Sequence, residues 1–545
     1  MIFLSTLLLS IFITIALIPL CIWVAVRAHA LDVPDERKVH TVPIPRCGGV
    51  AMAMGAFVPV IFWTQMTPQL SAYLIGCAIL FVAGIGDDFK GLSVRAKFMA
   101  QVAAALVLVF YGGVMIKDVG NVLPGEMNFP GWLAALATVF VVVGVTNAIN
   151  LADGLDGLAG GISLLIFLFI SFLAYSMESI NVAIVALSLS GALFGFLRFN
   201  THPAKLFMGD TGSMLLGFSA VTLCIMLTQT NSPFSPVLPL ILLGFPILDT
   251  LTVMAQRISE GRSPFSPDKN HFHHRLLRLG FFQTEAVFVI YAIQVLLIAF
   301  AWCFRFYSEW FLLLSYIIFS ALVVGLFSMA DKTNWKFKRL DIIDRVVKGK
   351  LRKLRGRRLP IRVSFRGVSL VLPALLVILT ILPGSIPGSL SILSVCFAVL
   401  LILTWLIRKE WLSRVLRLCI YIFIPLIIYV GEIDKAQWIA PPLVMCYTFL
   451  YVVLVVFALT TLRFTQRKDG FRITPMDFIV VVLAIGLTAM PREMFPDAMF
   501  KNMIPMILAL FLGYEVLVGE LRGNIQNLVG VTIISLIIVG IRGFI

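Results

Sequence analysis

Apolar runs of about 16 to 25 residues, each closed by a short polar stretch, follow one another along nearly the whole chain. A helix crosses the hydrocarbon core of a bilayer in about 20 residues, so each run is long enough to span. They fall near 2–25, 48–64, 71–86, 98–114, 131–149, 161–176, 180–198, 214–229, 235–256, 285–304 and 310–329. After a polar belt come seven more, near 368–383, 388–407, 415–430, 437–461, 475–490, 501–519 and 525–541. The runs are continuous where a membrane barrel would show ten-residue alternating segments. The expected fold is therefore an all-α polytopic membrane protein of about 18 spans, eleven and then seven. Residues 2–25 carry neither a charged leader nor a small-residue cleavage site, so this run reads as a retained helix and not a removable signal.

Composition agrees. Of 545 residues, 60% are apolar and 13% charged, against about 45–50% and about 25% in a soluble domain. Mean hydropathy is +1.00, which excludes soluble, collagen-like, disordered and disulfide-stapled classes. The eight cysteines are scattered through apolar runs with no CxxC and read as small core residues.

The net charge of +15 would suggest nucleic acid in a soluble chain; in a membrane chain it reports topology. With the N-terminus outside, alternating the spans puts 37 of the 43 Lys and Arg on the cytosolic side and leaves six outside: Lys117, Arg305, Lys435, Arg492, Lys501 and Arg542. All six histidines fall inside as well. Insertion bias accounts for Lys and Arg but not for His, so the expected chemistry lies on the cytosolic face. A belt from Lys332 to Arg366 holds 14 Lys and Arg against Asp341 and Asp344 and reads as a positive-inside linker. The expected domains are a membrane unit over 1–330, a basic linker over 331–367 and a second membrane unit over 368–545, whose spans carry almost no internal charge.

Five cytosolic loops carry more polar structure than connectors need. The first runs from Asp32 through Lys38 and His40 to Pro45, Arg46 and Gly48-Gly49, a charged and rigid loop suited to a charged ligand, with Lys38 and His40 as its candidate contacts. The second sets Asp87 and Asp88 at the end of an apolar helix, followed by Lys90, Arg95 and Lys97. Adjacent carboxylates persist near a bilayer where a metal or a cation offsets them, or as a solvated helix end. The third places Asn147, Asn150, Asp153 and Asp156 three residues apart, on one half of a helix surface if the helix continues. Hard oxygen ligands relieved by Gly154 and Gly157 suit a Mg²⁺-pyrophosphate site. The fourth, from Asn200 through Phe207 to Asp210, opens an apolar helix, so Asp210 reads equally as a helix cap or as a ligand beside free backbone N–H groups. The fifth holds His271, His273, His274 and Arg275. Zinc is the less suited reading, since the HExxH pattern is absent; imidazoles beside Arg275 and Arg278 fit phosphate binding.

These loops, in this order, closely resemble the polyprenyl-phosphate N-acetylhexosamine-1-phosphate transferases. That family includes the enzymes that start enterobacterial common antigen, O-antigen and wall teichoic acid synthesis, and the muramoyl-pentapeptide transferase of peptidoglycan synthesis. The resemblance covers residues 1 to about 330 and rests on Asp87-Asp88, the Asn147 to Leu158 string, Phe207 to Ser213, and His271-Phe-His273-His274. It implies transfer of a sugar-1-phosphate from a UDP-N-acetylhexosamine to polyprenyl (undecaprenyl) phosphate with release of UMP. It also implies a requirement for Mg²⁺, with Mn²⁺ as the alternative ion, and a bacterial cytoplasmic membrane location.

By matching motif positions, Asp210 and Asn150 resemble the metal-contacting residues, Asp87 the carboxylate that activates or orients the lipid phosphate with Asp88 beside it, and Lys97 a phosphate-neutralising group. Leu155, Asp156, Asn200 and Phe207 resemble the uridine pocket, Asn147 and Asp153 help hold the centre, and the histidines approach the sugar-phosphate end. The first loop lacks the stretch of the muramoyl-pentapeptide branch, so the N-acetylhexosamine branch is expected and the muramoyl branch is the alternative. A lipid-linked-sugar transporter is the alternative from another class, but the acids of the first unit cluster at one membrane face, which favours an enzyme. Nucleic acid is not an expected partner; membrane lipid and a second copy of the chain are.

Overall fold

The structure, a computed structural model, describes residues 2–33, 42–122, 128–229, 232–263, 270–333, 335–336, 359–407, 411–434, 441–464, 498–521 and 526–544. The expected span at 475–490, most of the basic belt, and Lys38 and His40 lie outside the described residues. Among the described residues there are nineteen α-helices, twelve of them long and apolar enough to cross a bilayer. The protein is thus an all-α, multi-pass membrane protein. Its helices form two compact units, the first ending with the thirteenth helix.

The first unit opens with α1 (Ile2–Arg27), whose chain turns back through a two-residue antiparallel pair, β1 (Leu31–Asp32) and β2 (Ile44–Pro45), into α2 (Gly48–Trp63). Next come α3 (Pro68–Lys90), α4 (Val94–Phe110), α5 (Gly131–Leu151), α6 (Leu158–Ser176), α7 (Ile180–Asn200) and α8 (Gly209–Thr228). Helix α8 is apolar on every side, the signature of a helix surrounded by protein. Its residues from Thr211 to Ile225 are all buried, against α2, α3 and α5. Glycines permit the close approach: a side chain at Gly84 of α3 would strike the Thr211 backbone, and one at Gly217 would lie 2.6 Å from Thr146 Cα of α5. The N-terminus of α8 is thereby fixed at the ends of α3 and α5, where the chemistry-bearing loops are.

One expected span is broken. Residues 235–256 form two helices, α9 (Leu238–Leu242) and α10 (Gly244–Ser259). Pro246 lacks the N–H that would bond the carbonyl of Leu242, so the ladder is interrupted there. Side chains from the last two helices of the unit, α12 (Gln283–Phe304) and α13 (Glu309–Lys332), bond carbonyls around the break. Gln294 Nε2 donates to Leu242 O at 2.9 Å and Tyr316 Oη donates to Gly244 O at 2.8 Å. Between α10 and α12 lies the short helix α11 (Phe272–Arg278), which the apolar pattern does not announce.

The second unit comprises α14 (Leu359–Ile381), α15 (Gly388–Ile407), α16 (Leu412–Ile433), α17 (Pro441–Phe464), α18 (Ala498–Leu521) and α19 (Gln526–Arg542) around its own apolar core. Among its described residues the spans hold an ion pair that the apolar reading passes over. Glu515 of α18 accepts from Arg417 Nη2 at 3.1 Å and from Tyr421 Oη at 2.7 Å, both on α16. A charge within an apolar helix is tolerated when it is paired and hydrogen-bonded.

Candidate active site

Helix α3 ends in Asp87-Asp88, and a turn through Gly91 at φ +69° sends the chain into α4. That turn lets Leu92 N donate to Asp87 Oδ1 at 2.7 Å. Asp88, buried, reaches across to the start of α8. It accepts from Asp210 N at 2.9 Å, Thr211 N at 3.2 Å and Thr211 Oγ1 at 2.6 Å. Three donors satisfy a carboxylate in a place where an unpaired one would be costly, and they cap the free N–H groups of α8. Gly209, at φ +67°, must be glycine: a Cβ there would enter the Asp88 carboxylate.

Capping by Asp88 turns Asp210 toward Asp87, and oxygens of Asp87, Asp88 and Asp210 lie within 4.8 Å of one another. Lys97, one turn into α4, bridges two of them, with its Nζ 2.8 Å from Asp210 Oδ2 and 3.3 Å from Asp87 Oδ2. Three carboxylates against one ammonium leave two negative charges when all are ionised. Clustered hard oxygen donors with that surplus fit a divalent cation such as Mg²⁺. Asn150, at the end of α5, hydrogen-bonds Asp210 from the other side and donates its Nδ2 to Ser213 Oγ at 2.7 Å.

The third loop departs from the single-helix expectation. Helix α5 ends at Leu151, and Gly157 at φ +80° starts α6. Asn147 and Asn150 are therefore helical, whereas Asp153 and Asp156 lie in the intervening turns. Asp153 lies close enough to the cluster to feel its charge. Desolvation, reinforced by the charges of Asp210, Asp88 and Asp156 and opposed by Arg46, pushes its carboxyl up to about 7. Asp156 points away from the cluster, to the loop after α7, where its Oδ2 accepts from Ala204 N at 3.1 Å and pairs with His202 Nδ1 at 2.8 Å.

The residues of the expected uridine pocket lie in the third and fourth loops, which Asn200 joins. Asn200, buried, accepts from Gly157 N at 2.9 Å and donates to Leu206 O at 2.8 Å, so its amide is spent tying the third loop to the fourth. Leu155 is buried. Phe207 is half-buried where the first loop crosses the fourth. There Phe207 N donates to Pro45 O, Gly48 N to Phe207 O and Gly49 N to Met208 O, each at 2.9 Å. The Gly48-Gly49 pair serves this crossing, since a side chain at Gly49 would strike Gly212 of α8. Arg46, between the crossing strands, pairs with buried Asp32.

The histidines come in from α11. His271 Nδ1 lies 2.8 Å from Asp249 Oδ2 of α10, and Phe272 N donates to Asp249 Oδ1 at 2.7 Å. His271 and His273 stack with rings 5.8 Å apart and 10° from parallel, and His274 lies 4.2 Å from His273. His273 packs on Gly154, where any side chain would collide with its ring. Burial and the neighbouring imidazoles push His273 down to about 3, so it is neutral near pH 7. Arg275 is buried, with Nε on Asn270 O at 2.8 Å and Nη2 on Gln256 Oε1 at 2.7 Å, and so fastens α11 to α10. Among the described residues, it is the carboxylates and not the histidines that form a group able to hold a metal ion.

Asp249, Gln256 and Thr211 were given no role by the loop motifs. Asp249 had a signal, being an isolated carboxylate inside an apolar run.

Residues 70–228 match the family described as glycosyl transferase family 4. A Bacillus subtilis protein named as a probable undecaprenyl-phosphate N-acetylglucosaminyl 1-phosphate transferase is 36% identical over 58% of this chain and 88% of its own length. A Mycobacterium tuberculosis decaprenyl-phosphate N-acetylglucosaminephosphotransferase is 36% identical over 49% of this chain and 74% of its own. The Escherichia coli K12 undecaprenyl-phosphate alpha-N-acetylglucosaminyl 1-phosphate transferase is 31% identical over 61% and 91%.

Proposed function

We infer the function from the family to which this chain belongs, glycosyl transferase family 4. The proposed reaction transfers N-acetylglucosamine-1-phosphate from UDP-N-acetylglucosamine to a polyprenyl phosphate, releasing UMP, at the cytosolic face of a bacterial cytoplasmic membrane. An oxygen of the lipid phosphate forms a bond to the sugar-linked phosphorus as the bond from that phosphorus to the UMP oxygen breaks. The observation that carries this reading is the Asp87, Asp88 and Asp210 cluster bridged by Lys97 at the ends of membrane helices. A soluble nucleotide and an anchored phosphate can both arrive there.

Asp87 and Asp210 would hold a divalent cation, Mg²⁺ by the hardness of the donors, with Asn150 fixing the Asp210 carboxylate. Such a cation supplies charge neutralisation at the pyrophosphate and polarisation of the attacked phosphorus. Lys97 adds a further positive charge, and Phe207 offers its ring to the uridine. Asp87 orients the acceptor and has little need to deprotonate it, because a phosphate monoester with a second pKa of about 6 is already mostly dianionic at neutral pH. Positioning and charge then account for most of the acceleration.

The test incubates purified protein with undecaprenyl phosphate, Mg²⁺ and a panel of UDP-N-acetylhexosamines, following UMP and the lipid diphosphate sugar by mass. Product from UDP-N-acetylglucosamine that disappears with EDTA supports the reading. Folded protein that makes no product from any donor overturns it.

A further inference from the structure

Among the described residues, Asp249 is a buried carboxylate to which the proposed chemistry gives no part. It is 3% exposed, sits in α10 and uses both oxygens on α11, one on Phe272 N and the other on His271 Nδ1. A carboxylate accepts and cannot donate, so this contact places the proton of His271 on Nδ1 and leaves Nε2 unprotonated in the neutral ring. His271 stacks almost parallel on His273, and His273 rests on Gly154, between Asn150 and Asp156. An unbroken run of contacts therefore leads from Asp249 to the loop that carries Asn150 and Asp153.

We propose that Asp249 is a positioning residue for the transferase: by fixing the tautomer and tilt of His271, it sets the stacked imidazoles against Gly154 and so holds the α5–α6 loop in register with Asp210. This rests on the transferase reading above. Asp249 touches no substrate in the proposal and acts only through His271. Lone carboxylates in apolar helices often serve packing alone, and the two roles separate cleanly. Asp249→Asn keeps an oxygen for Phe272 N, and so keeps the start of α11, but turns an amide N–H toward His271 Nδ1 and moves the ring proton to Nε2.

The chain has six histidines, few enough for ¹⁵N-histidine labelling of the intact protein in detergent, with His271→Gln identifying the His271 signals. The unaltered protein should show His271 as the Nδ1–H tautomer, and Asp249→Asn should switch it with the melting temperature unchanged. Turnover of Asp249→Asn should fall by roughly 10- to 100-fold in kcat, the usual scale for losing a second-layer partner of an active-site imidazole, with KM for the nucleotide sugar unmoved. The double variant Asp249→Asn/His271→Gln should be no slower than His271→Gln alone. An Nε2–H tautomer in the unaltered protein overturns the proposal even if Asp249→Asn fails to fold. Wild-type kcat in Asp249→Asn, or losses that multiply in the double variant, overturn it while leaving the transferase reading intact. No UMP from the unaltered protein removes that reading and this proposal with it.

Discussion

Asp87, Asp88 and Asp210 divide two tasks among three carboxylates. Asp88 is consumed in capping α8, whereas Asp210 and Asp87 share Lys97 and remain turned to the cluster. Asp210→Asn should therefore lower Mg²⁺-dependent kcat by roughly 100- to 1000-fold, as removal of a main electrostatic group does. Asp87→Asn should be slower at every pH, with the same pH profile as the parent between about pH 6 and about pH 9; recovery toward high pH would restore the base assignment. Asp153 makes a prediction about stability. Its carboxyl is raised to about 7 from an ordinary 3.8, so the native state keeps a proton that the unfolded chain has already released, and stability falls as pH rises through that window. In metal-free protein, Asp153→Asn should melt higher than the parent at about pH 8 and equally at about pH 4, by thermal scans in detergent. His273, pushed down to about 3, acts with the opposite sign, its stability contribution being lost as pH falls through about 6 toward that value.

Among the elements, the broken span is the one with most at stake. If Gln294 replaces the N–H that Pro246 lacks, Gln294→Leu strands the Leu242 carbonyl and should cost about 1–3 kcal/mol. Unfolding of the variant in detergent reads this directly; an unchanged midpoint would show that another donor takes over. The same region marks where sequence reading stops. Long apolar runs are legible because the bilayer demands them, and α3, α6, α7 and α8 lie close to where hydrophobicity puts them. The break at Leu243 is invisible to that criterion, since both halves are apolar and the compensating donors come from helices some fifty and seventy residues later. The candidate site was legible to the same degree. Asp87, Asp88, Lys97 and Asp210 stand out as charges at helix ends, and they do meet. That Asn200 and Arg275 are spent on backbone and on Gln256 depends on partners no local motif reveals.

At the scale of the molecule, the candidate site draws every described residue from the first unit, and the second has a core of its own. We therefore expect residues 1–332 alone to retain the transferase kcat within about threefold, a margin no wider than about 0.7 kcal/mol of barrier. The assay is UMP release by the shortened protein, and inactivity of a folded fragment would tie the chemistry to α14–α19. The Lys97 bridge has a further consequence. Metal sites built only from acids tend to fly apart when emptied, and small metal-dependent domains unfold under a chelator. Here a tethered ammonium already stands between Asp87 and Asp210, so the incoming ion competes with a resident for the same oxygens. Metal binding would be weakened by that rivalry, and a site without its ion would be spared collapse. Protein stripped with EDTA should melt within a few degrees of the loaded form and recover full turnover when Mg²⁺ returns, like a lock that keeps its shape with the key withdrawn.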